Sequence, residues 1–100
     1  MKQLTSAQRK HLRGLAHHLD PIVMVGQKGI TPELIAEVSR ALSDHELIKV
    51  RFTDYKDQRK VLSEQIAAES EGSIAGIIGN HLILYKEHPD KDKRQIELPS

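Results

Sequence analysis

Ile22-Val23-Met24-Val25-Gly26-Gln27-Lys28-Gly29-Ile30-Thr31-Pro32 is the stretch on which the reading of this chain turns. Its first four residues are apolar without a break, which suits a strand covered on both faces. Gly26 and Gly29 bracket a two-residue tip, where glycine lets the backbone turn tightly and lie close to another surface. Thr31 is a good N-cap and Pro32 a good first helical residue, so a helix begins after the loop. The first N–H groups of that helix and its positive dipole end flank the tip, and Lys28 adds a full charge. Phosphate is the ligand such an end suits best. A plain strand-to-helix connection needs the same glycines, and a lone G-x-x-G does not separate the two readings.

Upstream, Thr5 and Gln8 have the spacing of a capping box. Leu12, Leu15, Ala16 and Leu19 follow at helical intervals and are expected to form the buried stripe. Arg9, Lys10, Arg13 and His17 recur on another side, an expected solvated cationic face. No acidic residue precedes Asp20 to neutralise it. Asp20-Pro21 ends the helix, because proline disfavours a helical residue before it.

Downstream, Leu34, Ile35, Val38, Ala41 and Leu42 give a second helix its core stripe, with Glu33 and Glu37 near its start and Arg40 near its end, as the helix dipole prefers. Leu47 to Thr53 alternates, with Ile48, Val50 and Phe52 on one side and Lys49 and Arg51 on the other. That pattern predicts a half-buried strand with a cationic wet face. Asp54 to Asp57 is turn-like. A third helix is expected over roughly residues 58–71, with Val61, Leu62, Ile66 and Ala68 inward and Gly72 as its C′ stop. Residues 74–78 and 81–86 read as two strands joined at Gly79-Asn80.

The order α-β-α-β-α-β-β predicts an α/β fold with one four-stranded mixed sheet, three helices packed on it and a closing antiparallel hairpin. Residues 1–87 form the expected single domain. Residues 88–100 are charged and carry two prolines, Pro89 and Pro99. Ile96 and Leu98 can dock a short extended segment there, and the rest is expected to be mobile.

Composition narrows the chemistry. With no cysteine the chain has no disulfide, thiolate metal site or cysteine nucleophile. No apolar run has the roughly 20 residues a membrane helix needs, and the start lacks a signal-peptide core, so a cytoplasmic location is expected. Phe52, Tyr55 and Tyr85 are the only aromatic residues of the Phe/Trp/Tyr class, too few for a broad aromatic platform. Formal net charge is +1, yet residues 1–60 hold 11 Lys/Arg against 7 Asp/Glu, while residues 61–100 hold 4 against 7. Such a split can give one basic face to a nearly neutral chain.

The six histidines form no metal-binding motif: His11 and His18 are two turns apart, and His17 and His18 point in different directions. No metal, cofactor or small-molecule substrate is expected. The loop lacks the G-K-[ST] ending of a P-loop and the third glycine of a dinucleotide fingerprint. A G-x-x-G turn feeding a helix is the device by which KH domains clamp a nucleic-acid backbone.

Several stretches together resemble one family. Leu12-Arg13-Gly14-Leu15-Ala16-His17, the loop from Val25 to Thr31, and His45-Glu46-Leu47-Ile48-Lys49-Val50 are spaced as in CRM domains, named for chloroplast RNA splicing and ribosome maturation. Ile77-Ile78-Gly79-Asn80 and Leu84-Tyr85-Lys86 are similar to that family's closing hairpin. The resemblance spans residues 4–87 and is closest to the stand-alone bacterial YhbY type. It implies a fold similar to the C-terminal domain of bacterial translation initiation factor 3. It also implies binding to precursor large-subunit ribosomal RNA on the pre-50S particle, in ribosome biogenesis, without catalysis. The RNA-contacting loop it implies is Gly26, Gln27, Lys28 and Gly29, with basic residues of the first helix beside it.

The expected RNA-binding residues are therefore Gly26, Gln27, Lys28, Gly29 and Thr31, extended by Arg9, Lys10 and Arg13, with Lys49 and Arg51 as outlying candidates. Two rivals stand beside this reading. One is a protein-interaction module docking on ribosomal proteins without RNA contact, and the other a small enzyme acting on nucleotides or RNA.

Overall fold

Residues 3–100 are described by the computed structural model, so the first two positions of the expected domain lie outside the described residues. The chain starts its first helix, α1 (Ser6–Ala16), at the reciprocal capping box: Gln8 N–H donates to Thr5 Oγ at 3.1 Å, and Thr5 N–H to Gln8 Oε1 at 3.0 Å. Then come β1 (Val23–Val25), α2 (Pro32–His45), β2 (Leu47–Phe52), a 3-10 turn at Lys56–Gln58, α3 (Arg59–Ser70), β3 (Ser73–Ile78), β4 (His81–Tyr85) and a second 3-10 turn at Lys91–Lys93. The three helices and the mixed four-stranded sheet are those the hydrophobic periods predict.

The strands lie in the order β1-β2-β4-β3. β1 runs parallel to β2, and β4 antiparallel to both β2 and β3. β1, β2 and β3 therefore point the same way, and their C-terminal ends gather with the β3–β4 turn at one end of the sheet. Gly79 opens that turn with φ +57, as a two-residue hairpin loop requires.

One face carries the larger core. Val23, Val25, Ile48, Val50, Phe52, Leu82 and Leu84 meet Leu34, Val38 and Leu42 of α2 and Ile66 of α3. On the other face, Leu12 and Ala16 of α1, with Leu4, pack on Leu47, Ala75, Ile83 and Tyr85. Each fully buried large side chain among these contributes about 1.5–3 kcal/mol.

Several expectations are corrected. β1 is an edge strand covered on one face only: Val23 and Val25 are buried, while Ile22 and Met24 stand out. Leu15 and Leu19 lie outside the α1 core: both are exposed and line an open apolar groove with Ile22, Leu47, Ile48 and Ile96. In α3 the inward face is Ser63, Ile66, Ala67 and Ser70; Val61 and Ala68 face out. That helix ends on Glu71 in the left-handed region (φ +58), with Gly72 N–H donating to Ala67 O at 2.9 Å. Gly72 is needed for space: an added Cβ would stand 3.0 Å from Leu84 Cγ and 3.3 Å from Leu42 Cδ1.

The segment after Glu87, expected to be largely mobile, is docked. Glu46 directs its carboxylate at it from the end of α2 (φ +62) and is completely buried. Glu46 Oε2 accepts from His88 N–H at 2.7 Å, and Oε1 from the N–H groups of Gln95 and Ile96. Ile96 and Leu98 then complete the α1-side core. Gln8 Nε2 donates to Pro99 O at 3.0 Å and fastens the segment to the start of α1.

Two outcomes follow from this end of the molecule. Both Glu46 oxygens accept, so Glu46→Gln must turn an amide donor toward another donor. It should cost on the order of 2–3 kcal/mol in urea unfolding and speed amide exchange at Gln95 and Ile96. Tyr85 lies beside Glu46, and its pKa is pushed up to about 12 by burial first, then by the Glu46 and Glu87 carboxylates. Below its ordinary value the phenol is neutral folded or unfolded, and its full contribution to stability is present. Above it the unfolded chain ionises first, so stability falls by about 1.4 kcal/mol per pH unit until the folded phenol titrates. Tyr85→Phe should flatten that alkaline loss in a series of melts.

Candidate nucleic-acid interface

The G-x-x-G stretch folds as a hydrogen-bonded turn: Gly29 N–H donates to Gly26 O at 2.9 Å, leaving Gln27 and Lys28 at the exposed tip. Gly29 takes φ +66, which the absent Cβ permits. Thr31 Oγ accepts from Leu34 N–H at 3.0 Å and Pro32 occupies the first turn, so α2 begins directly behind the loop. The site lies at the carboxyl ends of the parallel strands, where open α/β sheets place their ligands.

The loop is held from the β2–α3 connection. Val25 O accepts from Thr53 N–H at 2.9 Å and from Thr53 Oγ at 3.0 Å. Tyr55 donates its hydroxyl to Gln27 O at 2.6 Å, and its ring backs Gly29, whose missing Cβ would lie 3.6 Å from Cε2. Tyr55 holds φ +55, a backbone state that costs an aromatic residue about 1–3 kcal/mol and persists only where surrounding contacts hold it. Asp54 Oδ1 accepts from Tyr55 N–H at 2.8 Å. Phe52 N–H reaches Asn80 O at 2.8 Å, and the Arg59 guanidinium donates to Gly79 O and Asn80 Oδ1. Three loops are thereby joined into one end. Tyr55 and Arg59 escaped the sequence reading; the available signal was an aromatic residue standing in an otherwise polar turn.

The basic residues divide. Lys28 and Lys10 are exposed, with no partner among the described residues. Arg9 and Arg13 are half-buried and have packing duties that a solvated face would not give them. Arg9 donates to Leu4 O at 2.8 Å and Ser6 Oγ at 3.1 Å. Arg13 lies across β3, donating to Ala75 O at 3.0 Å, its Cδ only 2.6 Å from where a Cβ on Gly76 would stand. Lys49 donates to Leu19 O at 3.0 Å, and Arg51 is exposed and unpaired among the described residues. Among the described residues no three His, Asp or Glu side chains are grouped to hold a metal ion. No helix of the described chain is long and apolar enough to cross a membrane.

Residues 4–86 match the CRS1 / YhbY (CRM) domain. A probable RNA-binding protein of Pseudomonas aeruginosa is 36% identical over 91 residues, covering 90% of this chain and 88% of the relative. An RNA-binding protein of Haemophilus influenzae is 36% identical over 100 residues, covering 99% of this chain and 98% of the relative. A Staphylococcus aureus protein solved in solution superposes with a TM-score of 0.82 at 34% identity, over 97% of this chain and all of that one. The match over residues 4–86 and the shared fold define an α/β domain of the CRM type. The chain belongs to the CRS1/YhbY (CRM) family.

Tyr55→Phe removes one hydroxyl and keeps the ring behind Gly29. It should lower stability by about 1 kcal/mol and raise amide exchange at Lys28 and Gly29 above that of the helix cores. Unchanged exchange in the loop would mean that Tyr55 does not hold it.

Proposed function

We propose that this protein is a cytoplasmic RNA-binding factor of ribosome assembly that grips precursor large-subunit ribosomal RNA on the pre-50S particle without catalysing a reaction. The observation that carries the reading is the loop: a turn fixed at its base and behind its tip, with Lys28 free, at the N-terminus of α2. Such a turn offers backbone N–H groups, a positive helix end and a cation to one phosphate-bearing strand. Gly26, Gln27, Lys28, Gly29 and Thr31 form the grip. Arg9, Lys10 and Arg13 add positive charge from α1, with Lys49 and Arg51 on the sheet between. The names of the relatives support RNA as the ligand. The large-subunit precursor follows from the family resemblance and is tested by crosslinking in cells and sequencing the attached RNA.

Lys28→Ala should leave the melting temperature unchanged and reduce the salt slope of RNA binding by roughly 0.7–1, equally for RNAs of different sequence. Gly29→Asp sets a carboxylate where phosphate should lie, in a left-handed position that aspartate tolerates better than most residues. It should weaken binding more than Lys28→Ala does. A folded Gly29→Asp protein with wild-type affinity would reduce the loop to a connection.

A further inference from the structure

α1 covers only part of its side of the sheet. On the uncovered part, the register sets Met24, Arg51, His81 and Ile78 side by side, one from each strand: Met24 pairs with Arg51, Arg51 with His81 and His81 with Ile78. Paired residues on adjacent strands share a face. This is the face on which Leu47, Ile83 and Tyr85 lie beneath α1, at alternate positions along β2 and β4. Met24 is 48% exposed and Ile78 54%; Arg51 is exposed and His81 half-buried. Neither this row nor the next (Lys49, Ile83, Gly76) contains a carboxylate. The row joins the two parts of the interface proposed above. Met24 stands two residues before Gly26, and Arg13 lies over Gly76.

We propose that this row is a platform for the bases of single-stranded RNA, continuing the backbone grip of the loop. The inference rests on the RNA-binding reading and adds the form of RNA that is taken. Four strands about 4.8 Å apart make the row roughly 14 Å long, comparable to the sheets on which other RNA-binding domains lay two or three bases. Phe, Tyr and Trp are absent from it, yet a guanidinium plane and an imidazole are both surfaces on which unstacked bases lie. Arg51 and His81 offer these directly opposite one another, with Met24 and Ile78 extending the flat surface on either side. Large apolar side chains around an unpaired cation suit a ligand that is both apolar-faced and polyanionic. A purely apolar partner would bury Arg51 without a counter-charge. Duplex RNA keeps its base faces within the stack, so the platform favours single strands.

Fluorescence anisotropy with a short single-stranded RNA, the same strand with its central bases removed, and a duplex of the same sequence tests this at one salt concentration. Wild type should bind the intact strand about tenfold more tightly than the abasic one. Met24→Ser with His81→Ala should bring that ratio to about one, whereas Lys28→Ala should weaken both strands alike and keep it. Should the double variant fail to melt cooperatively, amide shifts in the wild type decide. Met24, Arg51, His81 and Ile78 should move with the intact strand and stay still with the abasic one. Equal wild-type affinity for both strands, or silent row amides, would overturn the platform. The loop reading would survive either result if Lys28→Ala still lowered the salt slope. Absence of binding to any of the three RNAs would overturn both. A folded double variant that keeps wild-type RNA affinities would assign the patch to protein contact and overturn the platform alone.

Discussion

Val23–Val25 pairs in parallel with Val50–Phe52, and a parallel pair cannot be closed by a tight turn. The chain must travel the length of the sheet before it can pair, and α2 fills that path. The end of β1 therefore meets the start of α2 at Gly26–Thr31, while the end of α2 meets the start of β2 at Glu46. A side chain satisfies each helix end. Thr31 takes up an N-terminal N–H, and Glu46 turns the chain with a left-handed backbone while its carboxylate collects three N–H groups from residues 88–96. One short strand pairing thus sets both the exposed loop and the closed end opposite it.

The two ends are stabilised differently. At the Glu46 end a buried charge is solvated by backbone donors and covered by Ile96 and Leu98, so the segment beyond the family match is tied into the second core. At the loop end Val25, Phe52 and Leu34 anchor the base in the main core, and the exposed turn above them is ordered by polar contacts on carbonyls: Thr53 on Val25, Tyr55 on Gln27, Arg59 on Gly79. This leaves Gln27 and Lys28 at the tip toward solvent while the backbone behind them is fixed. Ordering entropy that RNA binding would otherwise cost is already lost on folding.

The strength of each local period decided what could be read in the sequence. α2 has a clean apolar stripe and β2 a clean alternation, and both appear where those patterns place them. α3 mixes serine and alanine into its inner face, so Val61 and Ala68 looked more buried than Ser63 and Ser70, which are the buried ones. β1 reads as apolar throughout because Ile22 and Met24 are apolar although both stand exposed, and no polar residue marks the outer face of the strand. The turn at Gly26–Gly29 was legible as a turn because glycine marks it. Its supports were not: Tyr55 lies 28 residues from Gln27, and Arg13 lies 62 from Ala75. A contact at such separation leaves no periodic trace, and an arginine stacked over a strand looks in sequence like one facing water.

The partners of the cations also show how a chain whose net charge is only +1 keeps positive charge uncancelled on α1 and the sheet. Among the described residues the ion pairs are Lys86 with Glu71 at 3.7 Å and Arg94 with Glu87 at 3.4 Å, both away from the loop end. On α1 and the sheet, Arg9, Arg13 and Lys49 are held by backbone carbonyls, as is Arg59 beneath the hairpin turn. A carbonyl fixes the position of a guanidinium or ammonium without cancelling its charge. A salt bridge would fix it too, but phosphate would then have to displace a carboxylate before gaining any attraction. Cations anchored on neutral acceptors keep their field and, being already ordered, lose little side-chain entropy when an anion arrives. The half-buried arginines of α1 are thus structural and electrostatic at once, and the packing that holds Arg13 over Gly76 also fixes where its charge stands.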